Sequence, residues 1–192
     1  MLLNTLKQFN WLDVFILIMI FRVCYIAIKG GFTTELFKFL GILTAIYLSM
    51  HYCVFIADYI RGQLPIKSKI TSGPLDSLVF IFLATLGYFL FVLLRNVFNN
   101  FVKMEAISAL NKWGGLVLGM FRSVLLVSLI SFVLVVSGIP YLKNSLMHSY
   151  LGPRLILAAP NTYNWIWTNI FSKFISAEKE GSIVANIKKE LI

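Results

Sequence analysis

The sequence predicts an all-α, polytopic membrane protein: four transmembrane helices, then an amphipathic C-terminal tail. Three observations predict it. Of the 192 residues, 59% are hydrophobic and 13% are charged, whereas soluble domains carry about 25% charged residues. Uncharged runs reach eighteen residues at 77–94, nineteen at 39–57 and twenty at 123–142. A hydrocarbon core of about 30 Å needs roughly twenty apolar residues as helix, so these runs exceed core strands and reach spanning length. Only helices and closed barrels satisfy every backbone group in lipid, and the runs lack the apolar–polar alternation of barrel strands.

The first span is expected from Trp11 to Ile28, with Asp13 at its start and Arg22 inside it. Lys29-Gly30-Gly31-Phe32-Thr33 ends it as a tight turn. Glycine supplies the permissive backbone there, and Thr33 or Thr34 is the expected N-cap of the next helix. The second span runs from Thr34 to Ala57 and forms an antiparallel hairpin with the first. A polar loop is expected from Asp58 to Asp76. The third span covers Leu78 to Phe98, and a short surface helix or loop follows from Asn99 to Lys112. The fourth covers Trp113 to Gly138. Gly115, Gly119 and Ser123 share its face, and Gly41, Ala45 and Ser49 repeat that spacing on the second. Such small-residue seams let helices approach closely, so the second and fourth helices are expected to pack on each other or across a homo-oligomer.

Residues 1–138 thus form a four-helix transmembrane domain, and residues 139–192 a C-terminal tail. Within the tail, 161–175 places Tyr163, Ile166, Trp167, Ile170, Phe171 and Phe174 at helical spacing. That pattern suits an amphipathic helix at the headgroup level, or one packed on a partner protein. Mixed charge from Glu178 to Ile192 suits a short further helix. The N-terminus reads as a retained membrane helix and not as a signal peptide, because no small-residue cleavage site follows its apolar run.

The net charge is +9. In so hydrophobic a chain the excess points to juxtamembrane cations meeting anionic lipid. No dense basic run with interleaved aromatics exists, so the expected partners are the bilayer, a second copy or other membrane proteins, and not nucleic acid. Cys24 and Cys53 lie in apolar stretches and read as buried small side chains. With His51 and His148 they make no metal-ligand spacing. Cations near the membrane nearly balance between the two sides, so charge alone does not orient the helices.

The residues with chemical potential are the polar ones inside the spans. Arg122 in a spanning helix costs about 2.5–3.5 kcal/mol on insertion scales unless it is paired or reaches polar surroundings. Arg22, Glu35 and Arg122 all lie near the turn ends of their helices, so a layer of the three is expected. It reads either as a polar path or as a structural ion pair with snorkelling arginines, and one acid between two bases favours the second. Asp13, Asp58 and Asp76 adjoin helix ends and suit capping. His51 suits an interhelical hydrogen bond. The serines of the fourth helix lack a nucleophile elbow or a paired base. No phosphate loop, dinucleotide fingerprint or zinc-protease helix occurs, so neither catalysis nor a cofactor is expected.

Trp11-Leu12-Asp13, Gly31-Phe32-x-x-Glu35 and Asn111-Lys112-x-x-Gly115-x3-Gly119-x2-Arg122 occur in this order. Together they resemble the bacterial colicin V production protein (CvpA) family over residues 11–138. That family shows an early Asp, an Arg-Gly-Phe-x-x-Glu turn and an Asp-Arg-x-x-Gly-x3-Gly-x2-Arg-Gly stretch. Here Gly30 replaces the turn Arg, Asn111-Lys112 replaces Asp-Arg, and Ser123 replaces the last Gly. The resemblance implies a multi-pass inner-membrane protein linked to colicin V production or export and to envelope homeostasis. It also implies a tail on the extracytoplasmic side and glycine turns facing the cytoplasm. The residues it carries over are Gly31, Glu35, Gly115, Gly119 and Arg122.

Overall fold

The computed structural model describes residues 10–63, 72–101, 108–170 and 173. The regular elements among them are helices: α1 (Trp11–Gln63), α2 (Ser72–Phe101), α3 (Ser108–Val136), α4 (Pro140–Met147), α5 (Gly152–Leu155) and α6 (Ala158–Asn169). Of these α1, α2 and α3 are long and apolar enough to cross a membrane.

The first two predicted spans both lie in α1, whose 53 residues break at Gly31 with φ 75° and ψ 164°. Only glycine adopts that backbone without strain. Near the start of the first arm, Asp13 accepts hydrogen bonds from Tyr150 and Leu151 N–H. In the second arm, His51 shares a hydrogen bond with the Tyr163 hydroxyl. A straight helix would hold Asp13 and His51 about 57 Å apart, but residues Tyr150 to Tyr163 run largely through α5 and α6 and reach only about 30 Å, too little even with the side chains added. The chain therefore turns back at Gly31, as the sequence predicts. The cap of the second arm differs from the expected Thr33 or Thr34. Phe32 N–H donates to Asn111 Oδ1 at 2.6 Å, so a residue 79 positions away satisfies it.

The helix that follows runs antiparallel to the second arm. The Cys53 thiol donates to the Asp76 carbonyl at 3.3 Å, and the Phe37 and Phe98 rings sit 5.1 Å apart at the other end. Between them Gly87 lies against Ala45, where an added Cβ would come within 2.9 Å of backbone. Arg61 bridges Asp58 and Asp76, and the expected Asp58–Asp76 loop is helical at both ends, up to Gln63 and from Ser72. Its residues 64–71 lie outside the described residues, as do 102–107 in the next connection and the predicted Glu178–Ile192 helix.

The small-residue seams find different partners from the expected ones. Gly41 faces Tyr88 and Phe91 of α2, whereas Gly115 and Gly119 face Ala27 and the Gly31 turn. The two seams do not meet. Each serves a separate crossing with α1, because a smooth ridge accepts whichever helix the connections bring to it.

Beyond Gly138 the chain packs back onto the long helices. Leu146, Ile156, Ala159 and Tyr163 join the same buried cluster as Ile46, Met50, Phe80 and Phe132. Ser128 Oγ donates to the Ile156 carbonyl at 3.0 Å and accepts from Ala159 N–H at 2.7 Å, fixing the start of α6 to α3. Tyr163, Ile166 and Trp167 turn inward, whereas Trp165 is exposed. Ile170 is exposed as well, and Phe171 and Phe174 lie outside the described residues, so the first three of the six periodic side chains form a face docked on the bundle. Burial, with the nearby Tyr47 and Tyr52 phenols, pushes the Tyr163 phenol up to about 12. Folding therefore gains from the protonated phenol below its unfolded value of 10.0, and loses that gain as pH rises to about 12. Tyr163→Phe should remove the His51 bond at a cost of about 0.5–1.5 kcal/mol and flatten the stability loss over that window. Alkaline unfolding curves of both forms check it.

Candidate functional site

The polar centre of the bundle forms where the Gly31 turn meets α3. Glu35 lies in the first turn of the second arm, where the partial positive charge of a helix N-terminus favours a carboxylate. Its side chain is 0% exposed. Lys38, one turn on, donates to Oε1 at 2.6 Å. From α3, Arg122 brings Nη2 to 3.0 Å from Oε2, with its own side chain 7% exposed. That approach lacks hydrogen-bond geometry, and Arg122 Nε is also buried without a partner among the described residues. The contact is an ion pair held by packing, not a bidentate fork.

Glycines allow this meeting. A Cβ on Gly119 would overlap Ala27 Cβ, and one on Gly115 would lie 3.0 Å from the Ala27 carbonyl. Removing both brings α3 close enough for Arg122 to reach Glu35. At Gly31 a side chain is excluded twice over, by the positive φ and by the Asn111 amide, whose oxygen would lie 2.5 Å from an added Cβ. Gly30 lies beside Glu35, with 3.1 Å from an added Cβ to Oε1. Gly119→Ala is expected to destabilise by about 1–3 kcal/mol through overpacking. By contrast Gly62, with open space around it, should gain up to about 1 kcal/mol as alanine from helix propensity. Unfolding in detergent micelles compares the two.

The structure joins Glu35 and Arg122 but leaves Arg22 out of the layer. Arg22 is exposed on the outer face of the first arm and has no ion pair among the described residues. It is set apart by depth, nine residues from Gly31 where Glu35 is four, and by its direction around the helix, which the sequence does not show. Lys38 takes the third place that Arg22 was expected to fill. Asn111 holds the turn through its amide oxygen, which an aspartate at this position would also supply.

Sequence reasoning missed the long-range role of Asp13. It is 0% exposed and accepts from Asn10 N–H at 2.9 Å, Tyr150 N–H at 3.0 Å and Leu151 N–H at 2.8 Å. It therefore ties the start of α1 to the segment ahead of α5, beyond capping its own helix. Its lone position ahead of an apolar run was the signal available; its partners, 137 and 138 residues away, gave none.

His51 sits at that same far end, stacked between Tyr47 and Trp167 with ring centroids 5.4 Å and 5.1 Å away. It is separated from Glu35 by sixteen residues, about 24 Å of helix. Between the two ends runs an apolar groove of about 760 Å³, lined by Phe39, Leu43, Val117, Phe121 and Trp165 among others. Neither Glu35 nor Arg122 lines it.

A bundle of long apolar helices with its charges paired inside defines the class: an α-helical membrane protein. A family model described as Colicin V production protein matches residues 12–160. The chain belongs to that family. The match continues past the expected boundary at Gly138 through α4 and α5, the segment that Asp13 and Ser128 fasten to the bundle. No curated protein and no solved structure matches the chain.

Proposed function

We propose that this is a non-enzymatic, multi-pass protein of the bacterial inner membrane that acts in colicin V production or export and in envelope homeostasis. It works as an accessory that packs with other membrane proteins or a second copy, and not as a pore. In this reading the two arms of α1 cross separately, and α2 and α3 complete four crossings. The Gly31 turn faces the cytoplasm, and the segment after Gly138 lies on the outer side.

The observation that carries the reading is the closed Glu35–Arg122 pair. Arg122 is paired with Glu35, which Lys38 also engages, within packed helices, and this favours a structural lock over a conduction path. A path would also need Arg22 and His51, which lie on an outer face and at the opposite end. Deleting the gene in a colicin V-producing host should lower toxin release and tolerance to detergent, and the wild-type gene should restore both. Unchanged release and tolerance would contradict the proposal. Purified protein in liposomes should carry no ion or proton flux under an imposed gradient. A flux that disappears in Arg122→Leu would favour a small transporter or channel subunit instead.

A further inference from the structure

Among the described residues, the first arm carries a charge without a counter-charge. Arg22 lies nine residues before Gly31 and eleven after Trp11, hence about 13 Å from one end of the arm and about 16 Å from the other. It is exposed, and among the described residues no carboxylate pairs with it. Around it Phe15, Ile18, Phe21 and Tyr25 are exposed apolar side chains, so its surroundings are a lipid-facing surface.

Snorkelling does not resolve this position. The Cα–Cβ bonds of a helix tilt toward its N-terminus. The Arg22 side chain is therefore directed to the Trp11 end, the more distant one. A guanidinium starting near mid-depth and aimed the long way stays within the hydrocarbon, where ionisable groups pair or face polar surroundings.

Among the described residues no acidic group is left free to meet Arg22 at that depth. Of its eight acidic residues, Asp13 and Glu35 lie within the apolar spans. Asp13 is filled by three backbone donors, and Glu35 by Lys38 and Arg122. Asp58 and Asp76 serve Arg61 at the far end of the second arm. Glu105, Glu178, Glu180 and Glu190 lie outside the apolar runs.

The surface around Arg22 has the form of a helix seam. Trp11, Phe15, Ile18, Arg22, Tyr25 and Lys29 alternate spacings of four and three, the 3.5-residue repeat with which one helix packs along another, and all six are exposed. Lys29 Nζ lies 4.4 Å over the Tyr25 ring, so the cationic end of the stripe is ordered against an aromatic. We infer that this stripe is the docking face for a transmembrane helix of a different protein, one that presents an aspartate or glutamate to Arg22 near mid-membrane. The inference rests on the proposed separate crossing of the first arm.

The test uses the full chain in phosphatidylcholine vesicles and a synthetic leucine–alanine helix carrying one central Glu, with a central Leu as control. Energy transfer between labels reads association. The Glu helix should bind roughly tenfold more tightly than the Leu helix. Arg22→Leu should abolish the difference with helix content unchanged, and Arg22→Lys should keep part of it. Equal binding of the two helices, or a difference that survives Arg22→Leu, overturns the inference. A difference that vanishes when phosphatidylglycerol is added assigns Arg22 to lipid phosphate and overturns it as well. So does Arg22-dependent self-association without peptide, which would assign the face to a second copy. The spanning premise is read separately, by labelling Ile18→Cys with a membrane-impermeant maleimide in a chain with Cys24→Ala and Cys53→Ala. Protection of that cysteine supports the crossing; labelling removes the crossing, and the inference falls with it.

Discussion

Glu35→Leu is expected to destabilise the folded bundle by about 3–5 kcal/mol, because it leaves a buried cation without its counter-charge. Arg122 is 7% exposed and Lys38 15% exposed, so Arg122 bears most of the effect while Lys38 retains some access to polar surroundings. The variant also removes the carboxylate from the helix N-terminus created by the Gly31 turn. Arg122→Leu alone should cost a comparable amount, since Glu35 then keeps only Lys38. The informative variant is the double one, Glu35→Leu with Arg122→Leu. Replacing both partners of a buried ion pair by apolar groups is often neutral or stabilising, so the double variant should be more stable than either single one. Unfolding of the four forms in detergent micelles gives the coupling directly. A double variant with the summed loss of both singles would show that the two residues act independently.

Asp13→Ala is the second large expected effect. Three backbone N–H groups lose a common acceptor at a site that is 0% exposed, and each buried donor left unsatisfied costs about 1–3 kcal/mol. Because two of the donors belong to Tyr150 and Leu151, the loss should concentrate in the segment after Gly138. Hydrogen exchange should rise across residues 140–169 while α2 and the core of α3 keep their protection. Asp13→Asn should show an intermediate effect. Both carboxylate oxygens accept bonds here, and an amide replaces one of them with a donor. Uniform loss of protection across the whole chain would contradict a local clamp.

Much of this architecture was legible in the sequence, for a physical reason. Hydrocarbon thickness sets helix length, so each uncharged run fell inside one of the long apolar helices, α1, α2 or α3, or across its end. Gly30-Gly31 located the reversal, and counting from it and from Gly115 put Glu35 and Arg122 at one level, along with Arg22, which the structure leaves out. What could not be read was rotation about the helix axes. In water, an apolar stripe marks the inward face. In a bilayer, both the packed and the lipid-facing sides are apolar, and that contrast disappears. Val23 and Ala27 are buried while Arg22 between Phe21 and Val23 is exposed, and nothing in the residue types distinguishes their directions. The same ambiguity let the Gly41–Ala45 and Gly115–Gly119 seams look like mates when each meets a different neighbour. Asn111 and Asp13 were missed for another reason, since their partners lie 79 and about 137 residues away and no local pattern encodes them.

The central claim is that Gly31 folds one long apolar helix into two crossings, which sets Glu35 beside Arg122 and Asp13 at the end that holds His51. Single cysteines test it most directly, introduced as Asn10→Cys, Lys29→Cys and Gly62→Cys in a chain with Cys24→Ala and Cys53→Ala, and labelled in intact cells with a membrane-impermeant maleimide. The account predicts that the cysteines at positions 10 and 62 react on one side of the membrane and the cysteine at position 29 reacts only on the other. Labelling of all three from the same side would contradict it.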